Sequence, residues 1–343
     1  MKLDRGINLG GYLSQCCHSA EHYDSFIGKE DVKLIAESGF DHIRLPIDYE
    51  VLETDEGDIR EQGYARVRRV IDWCVEYDRN VILDLHKAYG YDFNDAGNEE
   101  KNSLFASEKL QQRFIRLWRR MAEQFATYPN VAFELLNEVV EKENAPAWNS
   151  LIRRTLSEIR QISKTVPVIY GGIQWNSVKT LKLLEIPNDP NVIFTFHFYE
   201  PLLFTHQKAP WVETMAPNQT VPYPETMEYY RRESKKLGFQ GEVVTLARSQ
   251  TMGTQFIEEM IKEAIDAAQK AGVSLYCGEF GVIDRAPAED TLRWFQDVNT
   301  VFTKYHIGCA VWSYKEMDFG ITDAHYAPIR DALFQLWGVK PRT

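Results

Sequence analysis

Glu138 closes the run VAFELLNE and Glu279 sits in SLYCGEFG, and both runs read as strands that carry an acid at the end. Hydrolysis of a glycosidic bond uses such a pair: one carboxyl gives a proton to the departing oxygen, and the other acts as nucleophile or base. An acid at the tip of a buried apolar strand is held there against its solvation cost. A salt bridge at a strand end would explain one such glutamate about as well, but it explains two of them poorly.

Positioning two acids so far apart in sequence needs a scaffold that gathers strand ends. Apolar, β-branched runs occur at Gly6 to Leu9, His42 to Pro46, Asn80 to His86, Val131 to Asn137, Val168 to Gly172, Val192 to His197, Ser274 to Glu279 and Gly308 to Trp312. Between them lie segments of helical periodicity at Glu30 to Ser38, Tyr64 to Tyr77, Glu108 to Phe125, Ala147 to Ser163, Gln255 to Ala271 and Glu289 to Thr303. Strand and helix in alternation predict βα units around a parallel sheet. Eight of them predict an α/β fold of the (β/α)8 TIM barrel type, formed by residues 1–343 as one catalytic domain.

One connection departs from this rhythm. From Glu200 to about Gly253 no convincing helix follows the sixth strand, and a structureless loop of that length is rare in a compact domain. Residues 200–253 therefore read as a small inserted subdomain, and it should wall the cleft, because it leaves from the face on which barrels build active sites. Its Phe204, Trp211, Tyr223, Tyr229 and Tyr230 could stack on sugar rings, but for most of them a small core within the insert is the better explanation. No fixed-period repeat, low-complexity tract or linker marks a second independent domain.

The chain has 343 residues, 44% of them hydrophobic and 26% charged, which is enough apolar material for a large core. A net charge of -11 argues against a nucleic-acid partner, since binding phosphate backbones requires clustered Lys and Arg. The five cysteines, Cys16, Cys17, Cys74, Cys277 and Cys309, show no CxxC and no regular spacing, so reduced thiols are expected rather than a disulfide framework or a zinc site. No run is long enough for a membrane span and MKLDRGINLGG shows no signal peptide, which leaves two addresses open: the cytoplasm, or export with the signal already removed.

If the barrel forms, its strand ends bring Arg44, His86, Asn137 with Glu138, His197 with Tyr199, Glu279 and Trp312 into one cleft. Acid, nucleophile, hydrogen-bond donors and a flat apolar ring are what sugar chemistry requires. A metal set is not expected. Asp84 and His86 lack a third ligand at suitable spacing, and His18 and His22, spaced i, i+4 in a loop-like stretch, read as surface histidines.

NLGGYLSQ, HIRLPIDY, VILDLHKAYGYDF, FELLNEVV, FHFYEPLLFTHQKAPW, YCGEFGVI and AVWSYKEMDFGI, in that order, resemble glycoside hydrolase family 5, the cellulase A family, and above all its compact bacterial endoglucanases. The resemblance runs from about Gly6 to about Gly320. It implies retention of configuration, with Glu138 as general acid/base and Glu279 as nucleophile. It also implies that Asn137 bonds the sugar 2-hydroxyl, that His86 contacts the sugar in the cleaved subsite, and that Trp312 forms the floor there. Physical chemistry agrees with that division of roles: a carboxylate held ionised by cationic and hydroxyl donors can attack, and one raised by a nearby negative charge can donate a proton. Arg44 and Tyr199 are the candidate donors to Glu279, and His197 would lie near Glu138 and help set its protonation.

Two departures bear on specificity. Lys87 follows His86 where such relatives tend to carry a second histidine, and the later part of the insert reads differently from theirs. Tyr89, Tyr91 and Phe93 could line sugar subsites or pack a loop core. The expectation is an endo-β-1,4-glucanase with no cofactor, acting as a monomer on a β-linked polysaccharide, with mixed-linkage glucan as a further substrate. The alternatives are a β-mannanase or glucomannanase on the same machinery and, in another class, a polysaccharide-binding protein without catalysis. The complete set of acid, nucleophile and helpers argues against the last, because binding alone needs no nucleophile.

Overall fold

The computed structural model describes residues 1–338. The strands are β1 (Arg5–Asn8), β2 (His42–Asp48), β3 (Asn80–Lys87), β4 (Val131–Glu134), β5 (Val168–Gly171), β6 (Val192–Phe198), β7 (Ser274–Phe280) and β8 (Gly308–Val311). They pair in parallel in chain order and β8 returns to β1, so the sheet closes into a barrel. The expected (β/α)8 fold is present.

Long amphipathic helices cover the outside. Glu108–Phe125 shows how the sequence builds one: the Ser107 hydroxyl accepts from Leu110 N at the N-cap, and Phe114, Leu117, Trp118, Met121 and Phe125 fall on one buried face. A small apolar layer inside the barrel is formed by Ile82, Ala132, Ile169, Tyr276 and Ala310. Above it toward the strand C-termini the interior becomes polar, with Asn8, Arg44, Asp84, Glu134 and Thr195 all buried.

The differences from the sequence-based expectation are local. β4 ends at Glu134, not at Asn137, because its pairing with β5 covers only Phe133 and Glu134. The β5–β6 connection carries a 3-10 helix at Val178–Leu183 in place of a full α-helix. The segment after β6 contains helices at Leu202–Thr205, Met227–Ser234 and Glu242–Thr245, the second of them capped by Thr226. Its Phe204, Tyr223 and Tyr230 are buried in the apolar cluster that surrounds the barrel, whereas Trp211 is 51% exposed.

Candidate active site

Arg44, on β2 and fully buried, organises the polar layer of the barrel. Its Nε and Nη2 donate to the two oxygens of Glu134 at 2.8 and 2.9 Å, and Nη2 also donates to Asn137 Oδ1 at 2.9 Å. Nη1 donates to Asn8 Oδ1 at 2.9 Å and to Glu279 Oε1 at 2.8 Å. Asp84 Oδ2 lies 3.1 Å from Nη2. A planar guanidinium can serve this many oxygens in fixed directions, which an ammonium cannot.

Glu279, on β7, also accepts from the Tyr199 hydroxyl at 3.0 Å and lies 3.6 Å from His197 Nδ1. Burial pushes its carboxyl up, but His197, Arg44, His86 and the Tyr199 hydrogen bond outweigh burial and hold it below the ordinary carboxylate range. Burial raises the Tyr199 hydroxyl well above its usual value, so it remains a donor.

Glu138 Oε1 lies 2.7 Å from His197 Nδ1, and an oxygen of Glu138, an oxygen of Glu279 and a ring nitrogen of His197 lie within 4.8 Å of one another. The register β6–β7 pairs His197 with Glu279, so the histidine stands between the two acids. Burial lowers the proton affinity of His197, yet the charges of Glu279 and Glu138 raise it overall.

Glu138 is carried by a loop, because β4 stops short of it. Three anchors hold that loop against the barrel. Trp118 Nε1 donates to Leu135 O at 3.0 Å, Asn137 N donates to Leu85 O at 3.0 Å, and Val140 N donates to the Tyr91 hydroxyl at 2.7 Å. Tyr91 is thus buried behind the acid. Trp175, on the β5–β6 connection and not singled out in the sequence, donates its backbone N–H to Val139 O at 3.2 Å, and the residue is 36% exposed.

On the other side, His86 Nδ1 pairs with Asp84 Oδ2 at 2.7 Å, which leaves Nε2, without a hydrogen-bond partner among the described residues, to meet a ligand. The His86 ring lies parallel to Trp312 with centroids 5.6 Å apart, and Phe93 meets its edge. Asp84 therefore serves His86 and Arg44. His18 and His22 are likewise tied up separately, His18 Nε2 with Asp48 at 3.2 Å and His22 Nε2 with Gly11 O at 2.7 Å. Lys87 pairs with Glu50 at 2.6 Å, and Arg113 covers a face of Tyr89 at 3.7 Å. Every residue expected in the cleft is in this cluster: Arg44, His86, Asn137, Glu138, His197, Tyr199, Glu279 and Trp312. Three supporting residues were missed, namely Asn8, Asp84 as a partner of Arg44, and Glu134. The period of two along a strand carried the signal for Asp84, since it must share the inward face of His86.

A family model described as cellulase (glycosyl hydrolase family 5) matches residues 6–318. The chain belongs to this family. Endoglucanase C of Acetivibrio thermocellus is 40% identical over 339 residues, which cover 96% of this chain and 96% of that protein. Cellodextrinase A of Ruminococcus flavefaciens is 38% identical over 306 residues, covering 88% of this chain and 83% of its own. Among solved structures, Thermotoga maritima Cel5A in complex with a mannotriose substrate superposes with a TM-score of 0.73 at 26% identity, over 98% of this chain and 97% of that one. As a family 5 enzyme the chain is a glycoside hydrolase, and the arrangement of its two acids can be read against that chemistry.

Proposed function

We propose that the chain is a retaining endo-β-1,4-glucanase in which Glu279 is the nucleophile and Glu138 the general acid/base. The observation that carries this reading is the approach of the two carboxyls to within 4.8 Å at their nearer oxygens. Retaining enzymes keep their acids about 5 to 5.5 Å apart, and inverting enzymes need about 6.5 to 9.5 Å to admit a water. The electrostatics fit the same assignment, because Glu279 is held ionised by cationic and phenolic donors.

Glu279 attacks the anomeric carbon while Glu138 protonates the departing oxygen. Glu138 then takes a proton from the water that releases the glycosyl-enzyme. Arg44 and Tyr199 orient the nucleophile. Asn137, its Oδ1 fixed by Arg44, presents its amide N–H2 toward the sugar 2-hydroxyl, where a hydrogen bond strengthens in the transition state. His86 Nε2 and the Trp312 ring hold the sugar in the cleaved subsite. All these groups come from one chain, which supports action as a monomer. The exposed Trp211 meets His206 edge-on, and His206 in turn meets Tyr199, which supports reading the segment after β6 as a wall of the cleft.

A β-mannan or glucomannan is the second reading, favoured by one observation: Thermotoga maritima Cel5A has been solved with mannotriose and with cellobiose. Release of new reducing ends from carboxymethyl cellulose, mixed-linkage β-glucan and galactomannan decides between them, with Glu138→Gln and Glu279→Gln alongside. Release from the glucans that disappears in both variants is expected. Release mainly from galactomannan would replace the glucanase assignment, and no release from any would remove it.

A further inference from the structure

Behind the acid/base pair, on the side away from Glu138, four buried polar atoms lack hydrogen-bond partners among the described residues: His197 Nε2, Thr195 Oγ1, and Asn176 Oδ1 and Nδ2. Unpaired polar atoms at such depth are rare and costly, and enclosed water is their common partner. Three placements bring these atoms together. Thr195 and His197 alternate on β6, so both face the barrel interior. A Cβ on Gly278 of the neighbouring strand would stand 3.1 Å from Thr195 Oγ1 and 3.2 Å from His197 Nε2, so both atoms border the space that this glycine leaves open. Asn176 projects over Gly171, whose absent Cβ would meet Oδ1 at 1.7 Å, and Gly171 is the register partner of Thr195. The amide therefore occupies the inward position beside the threonine. Asn176 is also held locally, since its carbonyl accepts from His197 N at 2.9 Å.

We infer that His197 Nε2–H donates to one enclosed water shared with Thr195 Oγ1 and the Asn176 amide, and that this chain makes Thr195 a positioning residue for the acid/base Glu138. The inference rests on the assignment of Glu138 as acid/base. A water with three polar partners meets the requirement for an ordered internal site.

The function follows from the proton count. The groups facing His197 are Glu138 and Glu279 at Nδ1, with Arg44 and Glu134 in the layer below. With an acceptor at Nε2 the ring keeps both protons as an imidazolium, and Nδ1–H donates to Glu138. A positive ring beside Glu138 stabilises the carboxylate that forms there as its proton passes to the departing oxygen. Without the acceptor, the imidazolium carries an unpaired buried N–H and loses its proton more readily. The carboxylate then forms without its cationic partner, and proton donation to the leaving group slows.

The test compares Thr195→Val, which preserves shape and removes the hydroxyl, with Thr195→Ser, which restores it. In Thr195→Val kcat/KM should fall about threefold or more on cello-oligosaccharides, whose leaving group needs protonation, and far less on aryl glycosides with acidic leaving groups, and Thr195→Ser should return the oligosaccharide value to the parent's. An unchanged oligosaccharide value in folded Thr195→Val, or an equal fall in Thr195→Ser, overturns the inference. Should Thr195→Val fail to fold, nitrogen-15 spectra of histidine-labelled parent enzyme at pH 6 decide. Both ring nitrogens of His197 should be protonated, with Nε2–H protected from exchange and close to the Thr195 methyl group, and an unprotonated Nε2 overturns the inference. Glu138→Gln, run alongside, separates the two levels: full activity there removes the acid/base assignment itself, whereas its loss together with a parental Thr195→Val profile removes only the inference about Thr195.

Discussion

Arg44 Nη1 lies 2.8 Å from Oε1 of Glu279, while the opposite edge of the same guanidinium grips both oxygens of Glu134. One buried cation thus orients Glu279 and ties together the acids of the polar layer that joins β2, β3, β4 and β7. Arg44→Met should leave Asp84, Glu134 and Glu279 buried without it and destabilise the fold by about 3–5 kcal/mol, read as a lowered denaturant midpoint. Arg44→Lys keeps a charge but not the fork, so it should recover part of the stability and little of the activity. A parental midpoint in Arg44→Met would mean that the layer is neutralised in another way.

Removal of the proposed nucleophile is a separate case, because the proposal has Glu279 act in the chemical step. Glu279→Ala should lower turnover by more than about a thousandfold while oligosaccharide binding persists. Calorimetric titration with a cello-oligosaccharide beside the rate measurement distinguishes this from collapse of the cleft, in which binding would disappear too. Residual turnover near that of the parent would take Glu279 out of the mechanism.

Most of this site was legible in the sequence because a barrel turns sequence pattern into position. Once eight apolar runs alternate with helices, the last residues of the runs must face one mouth, and His86, His197 and Glu279 do so, with Arg44 reaching Glu279 from further down β2. Hydrogen-bond partners were less legible. Asp84 and Glu134 look like ordinary acids within apolar runs, and only three-dimensional closure shows that both converge on Arg44. The placement of Glu138 was legible as chemistry but not as geometry. The strand that seemed to end on it stops at Glu134, and side chains distant in sequence, Trp118 and Tyr91, hold the remainder of the run in place. Tyr91 also shows why aromatic residues in a loop are ambiguous: composition cannot tell a sugar platform from a buried clamp.

The depressed proton affinity of Glu279 gives a pH prediction with a definite sign. A carboxyl held below its ordinary value stays ionised to lower pH, so the stability that its pairing contributes is present above the ordinary carboxylate range. That contribution is lost as pH falls through the depressed value. As the proposed nucleophile, Glu279 must likewise be ionised to attack, so the acid limb of kcat/KM should lie below the ordinary glutamate range. Tyr199→Phe deletes the 3.0 Å hydrogen bond to Oε2 and should move that limb upward with a lower kcat. A limb unchanged in Tyr199→Phe would show that Arg44 and the histidines alone hold Glu279 ionised.

Tyr91 offers a test of how the acid is held in place. Its hydroxyl accepts from Val140 N at 2.7 Å and donates to Glu141 Oε2 at 3.2 Å, two and three residues beyond Glu138. In Tyr91→Phe the buried Val140 N–H loses its acceptor, at a cost of about 1–3 kcal/mol. If the loop carries Glu138 into register with the leaving oxygen, kcat should fall for substrates whose leaving group needs protonation. It should fall far less for aryl glycosides with acidic leaving groups, which depart with little help from an acid. Measuring both substrate types on the folded variant separates displacement of Glu138 from general damage to the cleft, which would lower the two rates equally.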